Sequence, residues 1–255
     1  IHLGMYLKLE NKNVFISGSS RGIGLAITKR FIAEGANVVI NSRNAKELNA
    51  TGLSLGNCKS VVGDVSSPTD ALKIITKAAS LLGGIDIVVC NVGSGASVRP
   101  GEEFYDEWQR VFAINFYSAT NLVEVSRKFL KESQGSVVCL SSICGSERVT
   151  GAPITYSVAK SALNAYVKSI SVPLALEGIR INAVAPGNIN FQGSVWSEKL
   201  IHDPGSVKEM LDRDVPLRAL GSPEDVANLV SWLASDLAKF VTGSVVTTDG
   251  GQTRS

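Results

Sequence analysis

The chain has 255 residues, 44% of them hydrophobic and 19% charged, with a formal net charge of +2. That balance fits a globular protein with a sizeable core and excludes a disordered chain. So small a charge offers nothing to nucleic acid or to an anionic membrane surface, and no apolar run approaches the ~20 residues that span a bilayer.

Ile1 to Asn13 lacks the charged start and apolar stretch of a signal peptide, and Met5 reads as the natural start, with Ile1 to Gly4 ahead of it. The chain then alternates strand and helix. Val14 to Ser17 is a short strand, Gly18 to Gly24 a turn rich in Gly and Ser, and Leu25 to Glu34 an amphipathic helix stopped by Gly35. Val38 to Asn41 is a second strand, Ala45 to Leu55 a weak helix and Lys59 to Val62 a third strand. Ser67 can cap a helix from Pro68 to Leu82, with Gly83-Gly84 as its stop. Ile87 to Asn91 is continuously apolar up to its last residue, as expected of a strand covered on both faces. After the Gly93 to Gly101 loop, Phe104 to Lys131 carries a long helical pattern, and Val137 to Leu140 is a fifth strand. A loop to Ile154 precedes a helix in which Pro173 predicts a kink. Arg180 to Ala185 is a sixth strand, broken by Pro186-Gly187. Asn188 to Gly205 is of mixed character, Val207 to Arg213 and Pro223 to Ala234 read as helices, and Gly243 to Thr247 is a seventh strand. Ser222 caps the last helix, with Asp225 making an imperfect capping box. Strands separated by helices imply βαβ units and a mainly parallel sheet. The expected fold class is α/β: one doubly wound Rossmann-type domain over 1–255 with about seven strands.

Four cysteines, Cys58, Cys90, Cys139 and Cys144, form no CxxC pair. They read as buried reduced thiols in a cytoplasmic protein, with no metal site.

Two stretches carry chemistry. Gly18, Gly22 and Gly24 follow the first strand and open the first helix, with Ser20, Arg21 and Ile23 between them. Small residues there let the backbone approach a pyrophosphate, and a helix N-terminus supplies free N–H groups. The spacing is G-x-x-x-G-x-G, and the strand–turn–helix context points to dinucleotide binding rather than an ordinary tight turn. Tyr156 and Lys160 stand four apart and share a helix face. Such pairs are common on solvated faces. In a cleft, however, a cation beside a phenol lowers its pKa from ~10, and the pair becomes a candidate acid/base.

Ser17–Gly24 (SGSSRGIG), Cys90–Gly93 (CNVG), Asn115, Leu140–Gly145 (LSSICG), Tyr156–Lys160 (YSVAK) and Asn182–Gly187 (NAVAPG) together resemble the short-chain dehydrogenase/reductase family, in that family's order and spacing. The closing GSPEDVANLVSWLAS and TGSVVTTDGG fit as well, so the resemblance spans about Lys8 to Gln252. It implies an oxidoreductase passing a hydride between NADP(H) and a carbonyl or secondary alcohol, similar to 3-oxoacyl-(acyl-carrier-protein) reductases. A sugar dehydrogenase, similar to glucose 1-dehydrogenase, is the alternative, and a dinucleotide sensor without chemistry a distant one.

The resemblance assigns Tyr156 as acid or base. Lys160 would hold the nicotinamide ribose and lower the Tyr156 pKa together with the oxidised nicotinamide. Ser142 would bond the substrate oxygen, and Asn115 would place a water that relays protons to Lys160. Ser141 is adjacent, but counting back from Gly145 puts Ser142 at the family's position. Asn115 has a structural alternative, bonding backbone at a helix kink. Asn91, Gly93, Pro186, Gly187 and Ile189 would line the cofactor, and Asp64-Val65 would meet the adenine. The second strand ends Asn41-Ser42-Arg43 without an acid. Arg43 and Ser42, with Arg21, would therefore suit a 2′-phosphate, hence NADP(H).

Three family residues are replaced: Cys90 and Val92 stand for an Asn and an Ala, and the usual threonine after Pro-Gly is missing from Asn188-Ile189-Asn190-Phe191. A substrate lid is expected over about 188–213, with Phe191 and Trp196 suiting an apolar ketone and the Asn and Gln residues a sugar. Trp196 could equally be a plain anchor, and His202 reads as an exposed lid residue. Arg99, in the Gly95 to Gly101 loop, would be part of another wall. A homotetramer (or homodimer) follows from the resemblance alone.

Overall fold

Alternation within the strands decides the architecture. In β1 (Asn13–Ile16), Phe15 joins one apolar layer while Val14 and Ile16 join the other. β2 (Asn37–Ser42) repeats this with Val39 against Val38 and Ile40, and β4 (Ile87–Cys90) with Val88 and Cys90 against Ile87 and Val89. A period of two thus builds two cores, one on each face of a single sheet. β3 (Cys58–Val62), β5 (Ser136–Leu140), β6 (Arg180–Pro186) and β7 (Val245–Thr248) complete it in the order β3-β2-β1-β4-β5-β6-β7. Every neighbouring pair is parallel. The computed structural model describes residues 7–56 and 58–253; Met5, expected as the natural start, lies outside them.

One core is closed by α3 (Pro68–Leu82), α5 (Ser118–Ser133) and α6 (Ile154–Ala175), through Ile74, Leu122 and Leu163. The other is closed by α1 (Gly22–Ala33), α2 (Ala45–Leu55) and α9 (Pro223–Ala234), through Ile27, Leu48 and Val230. Phe15 is fully buried; truncating such a side chain to Ala typically costs about 3–5 kcal/mol. The strand order reverses between β1 and β4. In an open parallel sheet the crevice at that switch point, beyond the carboxyl ends of the strands, is where ligands bind.

Several local expectations are refined. The long helical pattern divides into α4 (Tyr105–Phe112), a π turn (Ala113–Tyr117) and α5. The capping box is complete, Ser222 and Asp225 each bonding the other's backbone N–H. The mixed segment after β6 contains α7 (Val195–His202), and α8 (Pro204–Asp214) starts earlier than expected because Asp203 caps it and Pro204 suits its first position. Helix α6 runs on past Pro173 to Ala175, so the proline falls in its last turn. Only Cys90 and Cys139 are fully buried among the four free cysteines. Among the described residues no helix is long and apolar enough to cross a membrane.

Candidate active site

The glycine turn is shaped by close packing. Gly18 and Gly22 have φ of +59° and +55°, where a side chain is strained. A Cβ on Gly24 would collide with the Gly18 carbonyl oxygen and lie 2.5 Å from Asn91 Nδ2. That Asn91 amide donates to Ser17 O (3.1 Å) and Gly18 O (2.8 Å), tying the turn to the end of β4. Helix α1 has no side-chain cap, unlike α2, α3 and α9. Its first N–H groups can therefore serve an anion.

A cleft of about 740 Å³ opens over this turn. Gly18, Ser20, Arg21, Gly22, Ile23, Gly24, Ser42, Arg43, Asp64, Val65, Asn91 and Gly93 all line it. Ser142, Tyr156, Lys160, Pro186, Gly187 and Ile189 are not part of its lining. At the near end Arg43 Nη1 lies 3.5 Å from Asp64 Oδ2, with the Arg43 side chain 69% exposed. Burial would raise Asp64, but hydrogen bonds from Ser66 and the charge and hydrogen bonding of Arg43 hold it below the usual carboxylate range. Val65 is buried in the core, so little of it faces the cleft.

Asn115 sits in the π turn, 1% exposed. Its Nδ2 donates to Val111 O (3.1 Å) and Ser94 O (3.0 Å), and its Oδ1 accepts from Ser94 N (2.9 Å). The side chain thus fixes the loop after β4 as well as bonding helix backbone. A Cβ on Gly93 would lie 3.1 Å from both Asn115 Oδ1 and Lys160 Nζ, so those two groups flank the same backbone.

Ser142 caps a short 3-10 turn (Ile143–Gly145), its Oγ accepting from Cys144 N at 3.2 Å. Its hydroxyl favours the ionised form of Tyr156, whereas Ser141 Oγ donates to Asn164 Oδ1 (2.5 Å). Lys160 is 3% exposed, donates to Leu140 O at 2.7 Å, and holds its Nζ 5.9 Å from the Tyr156 ring centroid. Burial pushes Tyr156 up to about 12, opposed by the Ser142 hydrogen bond. Burial also pushes Lys160 down to about 8. In the polypeptide alone desolvation dominates at Tyr156.

The exit of β6 adds backbone. Asn190 N donates to Gly221 O and Gly221 N to Asn188 O, a parallel bridge that leaves the N–H and C=O of Ile189 pointing away from it. Gly187 donates to Thr248 O, and a Cβ there would meet Asp249 at 2.7 Å, so this glycine answers to packing. Phe191, expected in a substrate wall, lies instead over the phosphate turn: a Cβ on Gly22 would touch its ring at 2.7 Å. It stands where the family's threonine is missing. Trp196 lines a hollow between α7 and α8, with Lys199 Nζ 4.6 Å from its ring centroid. His202 is exposed.

Two supporting clusters escaped the sequence reading. Asn41, buried at the end of β2, donates to Val61 O and Gly63 O and so sets Arg43 opposite Asp64. A polar residue closing an apolar strand is the signal for it. Glu107 accepts from Arg110 and from Ser97 Oγ, which also contacts Thr155 Oγ1 at 2.6 Å. That cluster ties the loop after β4 to the residue before Tyr156, and nothing in the sequence pairs residues so far apart.

The comparisons agree with this geometry. Residues 18–253 match the family model described as enoyl-(acyl carrier protein) reductase. Isoepoxydon dehydrogenase of Penicillium expansum is 34% identical over 95% of both chains. The 3-oxoacyl-(acyl-carrier-protein) reductase of Aquifex aeolicus is 31% identical over 97% of this chain and 99% of its own. L-sorbose reductase of Gluconobacter frateurii, solved with NADPH and L-sorbose, superposes with a TM-score of 0.92 at 28% identity over 98% of this chain and 100% of its own. Fold, motifs and relatives converge: the chain belongs to the short-chain dehydrogenase/reductase family of oxidoreductases.

Proposed function

We propose that the protein interconverts a ketone and a secondary alcohol using NADP(H), with Ser142, Tyr156, Lys160 and Asn115 as its reaction group. The observation that carries this reading is the convergence of Ser142 and Tyr156 beside buried Lys160, at the sheet edge that also holds the glycine turn. The uncapped start of α1, at the glycine turn that lines the cleft, fits a pyrophosphate. Arg43 and Ser42, with no acid at the end of β2, favour a 2′-phosphate. The backbone of Ile189 is free to meet a carboxamide.

When bound, the nicotinamide supplies or accepts the hydride. The chain handles the proton. A phenol held near 12 is fully protonated at neutral pH, which is the form that donates to a carbonyl oxygen gaining negative charge. Ser142 Oγ has a lone pair occupied by Cys144 N–H, so its own proton can point at that oxygen and stabilise it. One Lys160 N–H is spent on Leu140 O, leaving two for ribose hydroxyls. For alcohol oxidation the phenol must first ionise, which the positive charge of an oxidised nicotinamide favours.

The test is NADPH consumption with ethyl acetoacetate, a diketone and a set of ketoses. Tyr156→Phe should cut kcat about 10³-fold. NADPH binding without turnover on any carbonyl or alcohol would remove the enzyme reading. A sugar or polyol substrate is the second reading. The likeness to L-sorbose reductase supports it, as does exposed Gln192 next to Phe191. A lid over 188–213 belongs to the same proposal. So does a homotetramer, which the exposed Val172, Leu176 and Phe240 support. Buried free thiols at Cys90 and Cys139 support a cytoplasmic setting.

A further inference from the structure

We propose that Asn164 is a positioning residue for the reaction, clamping the Ser142 loop onto α6, the helix that carries Tyr156 and Lys160. The inference rests on the roles proposed above for Ser142 and Tyr156. Asn164 lies four residues beyond Lys160 and eight beyond Tyr156, so all three share one face of α6. It is 7% exposed. Its Oδ1 accepts from Ser141 Oγ at 2.5 Å, and its Nδ2 donates to Ser146 Oγ at 3.3 Å.

Ser141 and Ser146 bracket the segment 142–145, so a single amide holds both of its ends. Between them the fit to α6 is tight: a Cβ on Gly145 would lie 2.7 Å from the Lys160 carbonyl carbon and 3.0 Å from Asn164 Nδ2. Control by the sheet ends at Ser141, whose N–H still pairs with Val184 O at 2.7 Å. Ser142 comes next, and its side chain accepts from Cys144 N within its own turn. Its position therefore depends on what holds the turn against the helix. An amide suits the task because it offers an acceptor and a donor from one planar group. A displacement of about 1 Å in a reacting group can cost ~10²-fold in rate.

The experiment measures kcat, KM and NADPH affinity in Asn164→Ala, Ser142→Ala and the double variant. Asn164→Ala should lower kcat by about 10- to 100-fold, with KM and NADPH affinity changed less than about threefold. A residue acting only through Ser142 has little left to do once that hydroxyl is gone. The double variant should thus fall within about twofold of Ser142→Ala. Losses that multiply in the double variant, or an unchanged kcat in Asn164→Ala, overturn the proposal. If Asn164→Ala does not fold, Ser141→Ala cuts the same clamp from the loop side and must give the same kcat-selective loss. Full activity in Ser142→Ala would instead defeat the role of Ser142 itself, and this inference with it.

Discussion

The cleft over the glycine turn and the group around Tyr156 share one sheet edge but are built in opposite ways. The cleft is made of backbone: glycines, uncapped helix N–H groups and exposed side chains such as Arg43 and Arg21. The proposed reaction group and its support rest on buried side chains, Lys160, Asn115 and the positioning Asn164, each bonded to a backbone carbonyl or a hydroxyl. Exposed charges act through water, are screened by salt, and count for little singly. Buried polar groups lose that screening, so each either has its partner or carries a large cost. Changes in the cleft should therefore tune affinity, whereas changes in the reaction group should stop turnover and move stability.

Lys160 gives the sharpest contrast. Its pKa falls from 10.5 to about 8 on burial, so the fold carries a charge it would rather not hold. The corresponding cost is on the order of 3 kcal/mol at neutral pH, of which the Leu140 hydrogen bond returns about 1 kcal/mol. Lys160→Met keeps the stem and removes the charge. Turnover should fall by more than about 10³-fold, while chemical denaturation shows a gain of about 2 kcal/mol. The sign can be checked with pH. Below pH 8 the wild type bears the whole penalty. Above it the folded lysine loses its proton while the unfolded one keeps it up to 10.5, so the advantage of the variant shrinks across that interval. A variant less stable than wild type at pH 7, or an advantage independent of pH, would show that the lysine is not under strain.

Gly24 tests the backbone half. Because a Cβ there would run into Gly18 O and Asn91 Nδ2, Gly24→Ala must push the turn away from β4. Overpacking of this kind costs about 1–3 kcal/mol, visible in urea unfolding, and NADPH affinity should fall by a similar factor. Gly95→Ala, where a Cβ meets nothing within 4 Å, is the control. Undiminished NADPH affinity in Gly24→Ala would separate the glycine turn from the cofactor.

What could be read from the sequence follows the same division. Strand alternation, the glycine turn and the caps at Ser67 and Ser222 are local, and local chemistry fixes them. The face shared by Tyr156, Lys160 and Asn164 was equally readable from helical spacing, although only the first two carry a motif. What was hidden depends on contacts between distant segments. The burial that raises the Tyr156 pKa in the polypeptide alone comes from the fold around it. Phe191 looks like a substrate wall until the chain after β6 folds back over Gly22. Asn115 was expected to place a water or bond helix backbone; its bonds to Ser94, 21 residues away in the chain, appear only in the fold.

Arg43 is the smallest effect and the one most specific to the cleft. Arg43→Glu would set a second acid beside Asp64 and disturb both cofactors through that repulsion, so Arg43→Ala is the cleaner variant. Losing one exposed charge-assisted contact to a phosphate should weaken NADPH about tenfold, roughly 1.4 kcal/mol, and leave NADH within about threefold. The gap should narrow as salt is raised, because an exposed guanidinium is screened within a Debye length of about 8 Å at physiological ionic strength. Fluorescence titration of both cofactors at two salt concentrations checks this. Equal losses for NADPH and NADH would mean that Arg43 serves the turn or Asp64 rather than a 2′-phosphate, and NADP(H) preference would then need another source along the cleft, with exposed Arg21 the next cation to test.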